Sequence, residues 1–302
     1  MKRIIFSIYT EISDNNLEDN NAYHGDNIPK SVRTKTQFQL HFNKLKECKE
    51  QYANLCGAEF KIFSDNSQFK SKFGHHFGEF KKDYDIMNFY KLYLFEQLAN
   101  DYDEIVYLDF DVVPNTTKSP FEEWDMNKIN VRAIDCNKKN IWNTGALNDH
   151  FRAARPFDDI VKDFDKHNMY CKMMAKRSML MTQNIKGDEM LSNTGILGGN
   201  SNVIKQLKMF DDFAFKVNTL EQAKEEQMFG PTLTDKFFLN NEILFSFNLE
   251  YNNIPWNNLS EDWHFMMLSG NMSPNKDNLN DAKLIHVIDK KFERIFNLCG
   301  IK

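Results

Sequence analysis

Short apolar runs alternate with longer amphipathic stretches along the first third of the chain. β-Branched and aromatic residues fill Arg3–Thr10, Glu59–Phe63 and Glu104–Leu108, a composition that is typical of strands. Between these segments, apolar positions recur at helical spacing over Ser31–Cys56 and Asp85–Leu98. This alternation of strands and helices predicts an α/β fold with a mostly parallel central sheet.

The remainder of the chain shows a less regular pattern. We expect three strands and two helices, in the order Ile129–Asp135 (strand), Thr194–Leu197 (strand), Val203–Phe215 (helix), Phe237–Phe247 (helix) and Lys283–Ile288 (strand). A turn is the structural alternative for Asn193 and Gly195, and a second turn for Gly198-Gly199. No internal repeat and no linker rich in Gly, Ser or Pro divides the sequence, so a single domain over residues 1–302 is expected.

Composition narrows the class of protein. The chain has 38 basic and 43 acidic residues, and this balance disfavours a nucleic-acid partner. No apolar run reaches the roughly 18 residues that a membrane-spanning helix needs. The first residues lack a long apolar region, which disfavours a signal peptide. Five scattered cysteines without a CxxC pair are typical of reduced thiols, so a cytoplasmic location is expected.

The candidate chemistry centres on Asp109 and Asp111, which directly follow the apolar strand Glu104–Leu108 in the text YLDFDVVP. Ligands of parallel α/β sheets bind at the carboxyl ends of the strands. Two carboxylates placed one residue apart repel each other unless a cation neutralises them. A hard divalent ion with oxygen ligands can do so and can bridge phosphate oxygens at the same time. A solvated pair of turn aspartates is the structural alternative.

In this context the sequence resembles the GT-A (Rossmann-like) glycosyltransferases that use nucleotide sugars, and within them the glycogenin and lipopolysaccharide galactosyltransferase family. The text YLDFDVVP resembles the DxD element of that family, and LIHVIDKK resembles its late strand with a metal-binding histidine. The resemblance implies transfer of a sugar from a nucleotide diphosphate donor, with UDP favoured, to a hydroxyl of a glycan, lipid or protein. It also implies Mn²⁺ or Mg²⁺ as the metal.

The resemblance further implies roles for individual residues. It makes Asp109, Asp111 and His286 the metal ligands, with Asp109 either binding the metal through water or holding the donor ribose. The nucleotide would be held by the strand-end residues Tyr9 and Thr10 and by the lysines Lys91 and Lys290. Near the acceptor and the donor sugar it places Asn193 of NTGIL and Glu242 of NNEILFSF. For His286 and Lys91, a core histidine and a solvated lysine are the structural alternatives.

Two acids are candidates on their chain position alone. Asp65 follows the predicted strand Glu59–Phe63 and could accept a hydrogen bond from a pyrimidine base, or simply form a turn. Asp188 lies shortly before Asn193 and could face the acceptor, or be an ordinary surface acid. An inverting transferase would need such a carboxylate as a base, whereas in a retaining one the leaving phosphate can take the acceptor proton.

The sequence departs from the family at two places and leaves other classes open. The glycine and the Lys-Pro-Trp ending expected after His286 are absent, and Asn240-Asn241 stands where the family has Asp-Gln. The donor sugar and the stereochemistry are therefore left open. The text DFDVV also fits a haloacid-dehalogenase-type phosphatase with Asp109 as nucleophile, and further alternatives are a sugar-nucleotide pyrophosphorylase and a non-catalytic sugar-nucleotide-binding relic of the GT-A fold.

Overall fold

The computed structural model describes residues 1–11, 30–78, 83–135, 164–226, 237, 239–267 and 276–299. The chain divides into two compact units. The first unit comprises Met1–Arg132, Gly195–Lys205 and Trp256–Lys302, and the second comprises Ala133–Thr194 and Gln206–Pro255. The expectation of a single domain over residues 1–302 remains a prediction.

Strands and helices alternate through the first part of the described chain, as the hydrophobic pattern predicts. The strands are β1 (Arg3–Ile8), β2 (Glu59–Phe63), β3 (Glu104–Leu108), β4 (Val112–Pro114), β5 (Ile129–Asp135), β6 (Met190–Asn200), β7 (Trp256–Asn258), β8 (Phe265–Met267) and β9 (Leu284–Val287). The helices are α1 (Lys30–Leu55), α2 (Ser67–Phe73), α3 (Asp83–Leu98), α4 (Pro120–Glu123), α5 (Phe164–Thr182), α6 (Ser201–Gln206), α7 (Phe213–Glu225), α8 (Asn241–Tyr251), α9 (Lys276–Asp281) and α10 (Phe292–Cys299). Among the described residues, no helix is both long enough and apolar enough to cross a membrane.

The central sheet has six strands in the order β2-β1-β3-β6-β5-β7. Strand β1 pairs in parallel with β2 on one side and with β3 on the other, and β5 pairs in parallel with β7. Strand β6 runs antiparallel to β3. The predicted α/β class with a mostly parallel central sheet is therefore confirmed. Because β1, β2 and β3 run the same way, their carboxyl ends lie at one edge of the sheet.

The alternative of a turn at Gly198-Gly199 is wrong, and packing of Trp124 accounts for the glycine at position 198. Gly198 and Gly199 lie inside β6 and not in a turn. A Cβ atom on Gly198 would come within 2.7 Å of the Trp124 ring, which itself packs edge-on against Trp263 at 5.2 Å between ring centres. Gly198 thus serves close packing of an indole ring against the sheet, and its conformational freedom is not used.

The predicted helix over Val203–Phe215 is also wrong, since the chain breaks after α6 and resumes as α7. Lys208 and Asp212 adopt left-handed backbone angles, with φ of 47° and 48°. The buried ammonium of Lys216 binds the carbonyl oxygens of this break, donating to Lys208, to Met209 at 3.0 Å and to Asp211 at 2.7 Å. A buried charge therefore organises the turn, and helical spacing of apolar residues does not reveal it.

Helix α8 begins at Asn241, later than the predicted start at Phe237. Asn240 is the residue before the helix, and its side-chain oxygen accepts from the backbone N–H groups of Glu242 at 2.9 Å and Ile243 at 3.3 Å. Asparagine is among the strongest residues at this position because it satisfies amides that the first turn leaves free. The cap fixes the helix start and orients Glu242 within the first turn.

Candidate functional site

The site is built around the turn that joins β3 to β4. Strand β3 is fully buried, and Asp109 continues from it with its N–H bonded to the Gly195 carbonyl at 2.7 Å. The Asp109 carbonyl then accepts from Val112 N–H at 2.9 Å, which closes a tight turn before β4. Both carboxylates are thereby held on a short segment between two strands, and the Asp111 side chain is buried.

His286 reaches this turn through a second, three-stranded sheet in the order β4-β9-β8. Strand β9 runs antiparallel to β4 and places His286 opposite Val112. A further bond from Val287 N–H to the Asp111 carbonyl, at 2.9 Å, ties β9 to the turn. His286 Nε2 lies 3.3 Å from Asp111 Oδ2 and 3.7 Å from Asp109 Oδ2.

Asp109, Asp111 and His286 thus form a cluster that could hold a metal ion. One ligand atom from each of the three residues lies within 4.8 Å of the others. The structure therefore brings together the three residues predicted as ligands, although they come from distant parts of the sequence. Two carboxylate oxygens and one imidazole nitrogen suit a divalent ion such as Mn²⁺ or Mg²⁺.

Two lysines neutralise the carboxylates. Lys290, whose backbone is left-handed with φ of 61°, donates to Asp111 Oδ2. Lys91 of α3 is buried, and its ammonium lies 3.1 Å from Asp109 Oδ1. Burial alone would raise the pKa of Asp111, but the charges and hydrogen bonds of Lys290 and His286 outweigh it and hold that pKa well below its usual range. The Asp111 carboxylate is consequently ionised at neutral pH and offers a negatively charged oxygen as a ligand.

Tyr107, which sequence reasoning missed, supports Asp109 from inside β3. Its fully buried hydroxyl donates to Asp109 Oδ1, the same oxygen that Lys91 contacts. Burial and then the Asp109 charge raise the pKa of Tyr107 well above its usual value. The phenol therefore remains a donor at physiological pH and fixes the rotamer of Asp109.

Replacing Tyr107 by Phe should lower the free energy of unfolding by about 1.5–3 kcal/mol, because a hydrogen bond to a charged carboxylate is lost. Urea unfolding of the wild type and the variant measures this difference in free energy. The matched control is Tyr52→Phe, since the Tyr52 hydroxyl donates to a neutral acceptor, the Lys118 carbonyl, at 2.9 Å. A loss in Tyr107→Phe no larger than in the control would contradict this assignment.

Lys49, also missed from the sequence, is buried beneath the same turn. Its ammonium donates to the carbonyls of Phe110 at 2.8 Å and Leu45 at 3.3 Å, and it lies 4.9 Å from the centre of the Phe110 ring. Burial lowers the pKa of Lys49, while the charges of Cys48, Asp111 and Asp109 act in the opposite direction. Lys49 therefore anchors the residue between the two aspartates. A lysine in an amphipathic helix gives no sequence signal for such a role.

Tyr9 and Thr10, two of the residues predicted to hold the nucleotide, lie at the edge of the sheet formed by the carboxyl ends of β1 and β2. Tyr9 N–H donates to the Phe63 carbonyl at 2.9 Å, and Thr10 Oγ1 donates to the Ser64 carbonyl at 3.2 Å. The Tyr9 ring lies 5.0 Å from the ring of Phe110 in the turn that carries the aspartates. The structure therefore brings Tyr9 and Thr10 to the same edge as the acidic cluster.

Asp65 follows β2 at this edge and closes a local turn. Its Oδ1 accepts from Ser67 N–H at 2.9 Å at the start of α2. These hydrogen bonds to Ser67 lower the pKa of Asp65. The carboxylate is exposed, so the turn role that the sequence allows is present while one oxygen remains accessible to other donors.

The second unit contains the three residues predicted near the acceptor. Asp188 Oδ1 lies 2.6 Å from the buried Lys176 ammonium and also accepts from Met190 N–H at 2.9 Å. Glu242 of α8 pairs with Lys172 at 2.6 Å. Asn193 lies in the part of β6 that belongs to this unit. Both acids are therefore engaged with lysines of α5.

Lys176 also pairs with Glu250, so one ammonium holds two carboxylates. Burial would raise the pKa of Asp188, but the Lys176 hydrogen bond and charge lower it overall. Burial raises the pKa of Glu250 in spite of Lys176. The cluster stabilises the second unit, and it is a structural role for Asp188 that the sequence did not indicate.

Comparison with solved structures finds several distant likenesses. A glycosyltransferase involved in the glycosylation of the major capsid of PBCV-1 is 12% identical, with a TM-score of 0.43 over 97% of this chain and 98% of that chain. Mouse xyloside xylosyltransferase 1 is 10% identical, with a TM-score of 0.46 over 95% of this chain and 98% of that chain. An active-site mutant of LgtC is 15% identical, with a TM-score of 0.42 over 99% of this chain and 95% of that chain. None of the curated protein sequences matches the chain.

The family comparison is more direct. The model of the family described as glycosyl transferase family 8 matches residues 4–291, which include the strand-end aspartates, the histidine and the segments of both units. This agrees with the resemblance and with the GT-A-like α/β class predicted from the sequence, and it leaves the phosphatase and pyrophosphorylase alternatives without support. On this match over nearly its whole length, the chain belongs to glycosyl transferase family 8.

Proposed function

We propose that this glycosyltransferase moves a sugar from a nucleotide diphosphate sugar, with a UDP-sugar favoured, to a hydroxyl acceptor in a metal-dependent reaction. The observation that carries the proposal is the cluster of Asp109, Asp111 and His286, whose ligand atoms lie within 4.8 Å of one another at the end of β3. Family membership supplies the reaction class. The cluster follows the carboxyl end of β3, which runs parallel to β1. The carboxyl ends of parallel strands are where α/β proteins bind ligands.

The donor set fits Mn²⁺ or Mg²⁺. Asp111 is buried and ionised, and Asp109 offers a second carboxylate that Tyr107 and Lys91 keep in place. His286 offers Nε2 toward both acids. A bound divalent ion supplies Lewis-acid stabilisation of the departing diphosphate. Two carboxylates and one imidazole leave coordination positions for phosphate oxygens of the donor.

The lysines of the first unit add positive charge for the same phosphates. Lys91 contacts Asp109 and Lys290 contacts Asp111, so both ammonium groups lie close to any ligand that these carboxylates bind. Fixed cations that face a leaving group stabilise the charge that develops on it. We assign both lysines to the diphosphate, and we assign Tyr9, Thr10 and Asp65, at the edge formed by β1 and β2, to the nucleoside.

On the acceptor side we assign Asn193, Asp188 and Glu242 of the second unit. In a retaining reaction the leaving phosphate takes the acceptor proton, and these residues would only orient the substrates. In an inverting reaction Glu242 or Asp188 would take that proton. The ion pairs with Lys172 and Lys176 keep both carboxylates oriented. A glycan, lipid or protein hydroxyl is the proposed acceptor, and the cytoplasm is the proposed location.

The proposal is tested by a hydrolysis screen over nucleotide sugars with Mn²⁺ and without added acceptor. We expect slow release of UDP or GDP from at least one donor, by transfer to water, and loss of this release with EDTA. A non-catalytic relic would bind a nucleotide sugar without turnover. The same assay with p-nitrophenyl phosphate as substrate distinguishes a glycosyltransferase from a phosphatase. Phosphate release that depends on Asp109, with every nucleotide sugar left intact, would overturn the proposal.

A further inference from the structure

A second histidine lies behind the candidate metal ligand. His264 precedes β8 and is completely buried. Its backbone is fixed on both sides, because its N–H donates to the Ser260 carbonyl at 3.2 Å and its carbonyl accepts from Arg132 Nη1 at 3.1 Å. Strand β8 runs parallel to β9, with Met266 opposite His286. The ring of His264 is thereby held next to the strand that carries His286.

The two imidazoles meet nitrogen to nitrogen. His264 Nε2 lies 3.1 Å from His286 Nδ1, and the rings are stacked with centres 5.3 Å apart. The remaining nitrogen of His264, Nδ1, is buried and has no hydrogen-bond partner among the described residues. His264 therefore makes a single side-chain hydrogen bond, and that bond goes to His286.

This contact couples the proton positions on the two imidazole rings. A neutral imidazole has one N–H donor and one acceptor nitrogen. Because Nε2 of His286 faces the two carboxylates, coordination through Nε2 requires its proton to be on Nδ1. That Nδ1–H must then donate to His264 Nε2, which has to be an acceptor. In the opposite arrangement His264 donates, His286 carries its proton on Nε2, and Nε2 has no lone pair for a metal ion.

We propose that His264 is a positioning residue that accepts a hydrogen bond from His286 Nδ1 when His286 Nε2 binds a metal, and that it thereby sets the affinity of the site for a divalent cation. The inference rests on the metal site of the proposed function. When a metal-bound histidine donates a hydrogen bond from its other ring nitrogen, the group that accepts this bond orients the ring and increases its basicity. Here a neutral imidazole takes the place of the usual carboxylate or backbone carbonyl.

The test measures Mn²⁺ affinity without nucleotide, from the electron paramagnetic resonance signal of free Mn²⁺, in the full chain. His264→Phe cannot accept a hydrogen bond and should weaken Mn²⁺ binding by about 10- to 100-fold. His264→Gln can accept through its side-chain oxygen and should retain affinity within about threefold of the wild type, since it restores the bond that orients the ligand. An unchanged affinity in His264→Phe, or equal losses in both variants, would overturn the inference.

A matched control separates positioning from general damage to the core. Met267 lies in β8, is buried in the same part of the first unit, and is paired with Val287 of β9 and not with His286. Met267→Ala should lower thermal stability and leave Mn²⁺ affinity unchanged. A loss of affinity in Met267→Ala as large as in His264→Phe would show that stability, not the hydrogen bond, controls metal binding.

Nitrogen-15 NMR of the wild type gives a readout that does not depend on any variant folding. With Zn²⁺ bound as a diamagnetic probe, His286 should show a protonated Nδ1 and His264 a protonated Nδ1. A protonated Nε2 on His264 in the metal-bound protein would overturn the inference. If the wild type binds neither Mn²⁺ nor Zn²⁺, the metal site of the proposed function fails and the inference fails with it, whereas tight binding that is indifferent to His264 removes the inference alone.

Discussion

Substitution of Asp111 by Asn should reduce metal-dependent release of UDP from a donor sugar by at least about 100-fold, because the site loses the charge of a direct ligand. Asp111 is buried, its pKa is held well below the usual range, and it faces both His286 and Lys290. The amide has nearly the same shape but cannot neutralise a divalent ion. The measurement is the initial rate of UDP formation at saturating Mn²⁺.

Loss of activity in this variant has to be separated from loss of fold. Removing the Asp111 charge leaves the buried Lys290 ammonium unpaired, which should cost about 3–5 kcal/mol of stability. The double variant D111N/K290M removes that ammonium as well, and should recover most of the stability and none of the activity. Asp125→Asn, at an exposed turn of the same unit, is the control for aspartate loss in general. Recovered turnover in the double variant would contradict the direct role of Asp111.

Substitution of Lys176 by Met should have a large effect on stability, a decrease of about 3–5 kcal/mol in the free energy of unfolding. Lys176 is fully buried and holds Asp188, Glu250 and the Met190 carbonyl. Without the ammonium, two neighbouring carboxylates remain with no cation between them, and burial has already raised the pKa of Glu250. Urea unfolding followed by circular dichroism measures the change.

Lys172→Met provides the matched control, because Lys172 lies one turn earlier on α5 and pairs with a single acid, Glu242. Its loss should cost less than the loss of Lys176. Adding Glu250→Gln to Lys176→Met should recover part of the stability, since only one carboxylate then stays charged. Equal effects of the two lysine substitutions would contradict the assignment of Lys176 as the organising charge of the second unit.

The strands and helices of the first third were predictable because their signals are local. Strand β3 is Glu104 and four apolar or half-apolar residues followed at once by Asp109, and α1 and α3 repeat apolar positions at helical spacing. The exact ends of α6, α7 and α8 were not predictable in the same way. They depend on Lys216, which binds carbonyls of the preceding break, and on the side-chain cap of Asn240.

Only the candidate metal ligands of the site could be predicted from the sequence. Asp109 and Asp111 carry a recognisable pattern, and His286 follows from the family resemblance, but their approach is produced by pairing of β4 with β9. Tyr107, Lys49 and His264 carry no pattern, since each is polar in an otherwise ordinary apolar or amphipathic segment. The roles of Lys49 and His264 arise from contacts with residues far away in the chain, and that of Tyr107 from its burial beside Asp109, and periodicity encodes none of these contacts.

The central claim is that Asp109, Asp111 and His286 hold a divalent cation that links the protein to a nucleotide diphosphate. The most direct test is calorimetric titration of UDP into the protein, once with saturating Mn²⁺ and once with EDTA. We expect binding at least about tenfold tighter with Mn²⁺, and His286→Ala should remove most of this difference, because the cation is the ligand that both partners share. Equal UDP affinity with Mn²⁺ and with EDTA in the wild type would contradict the claim.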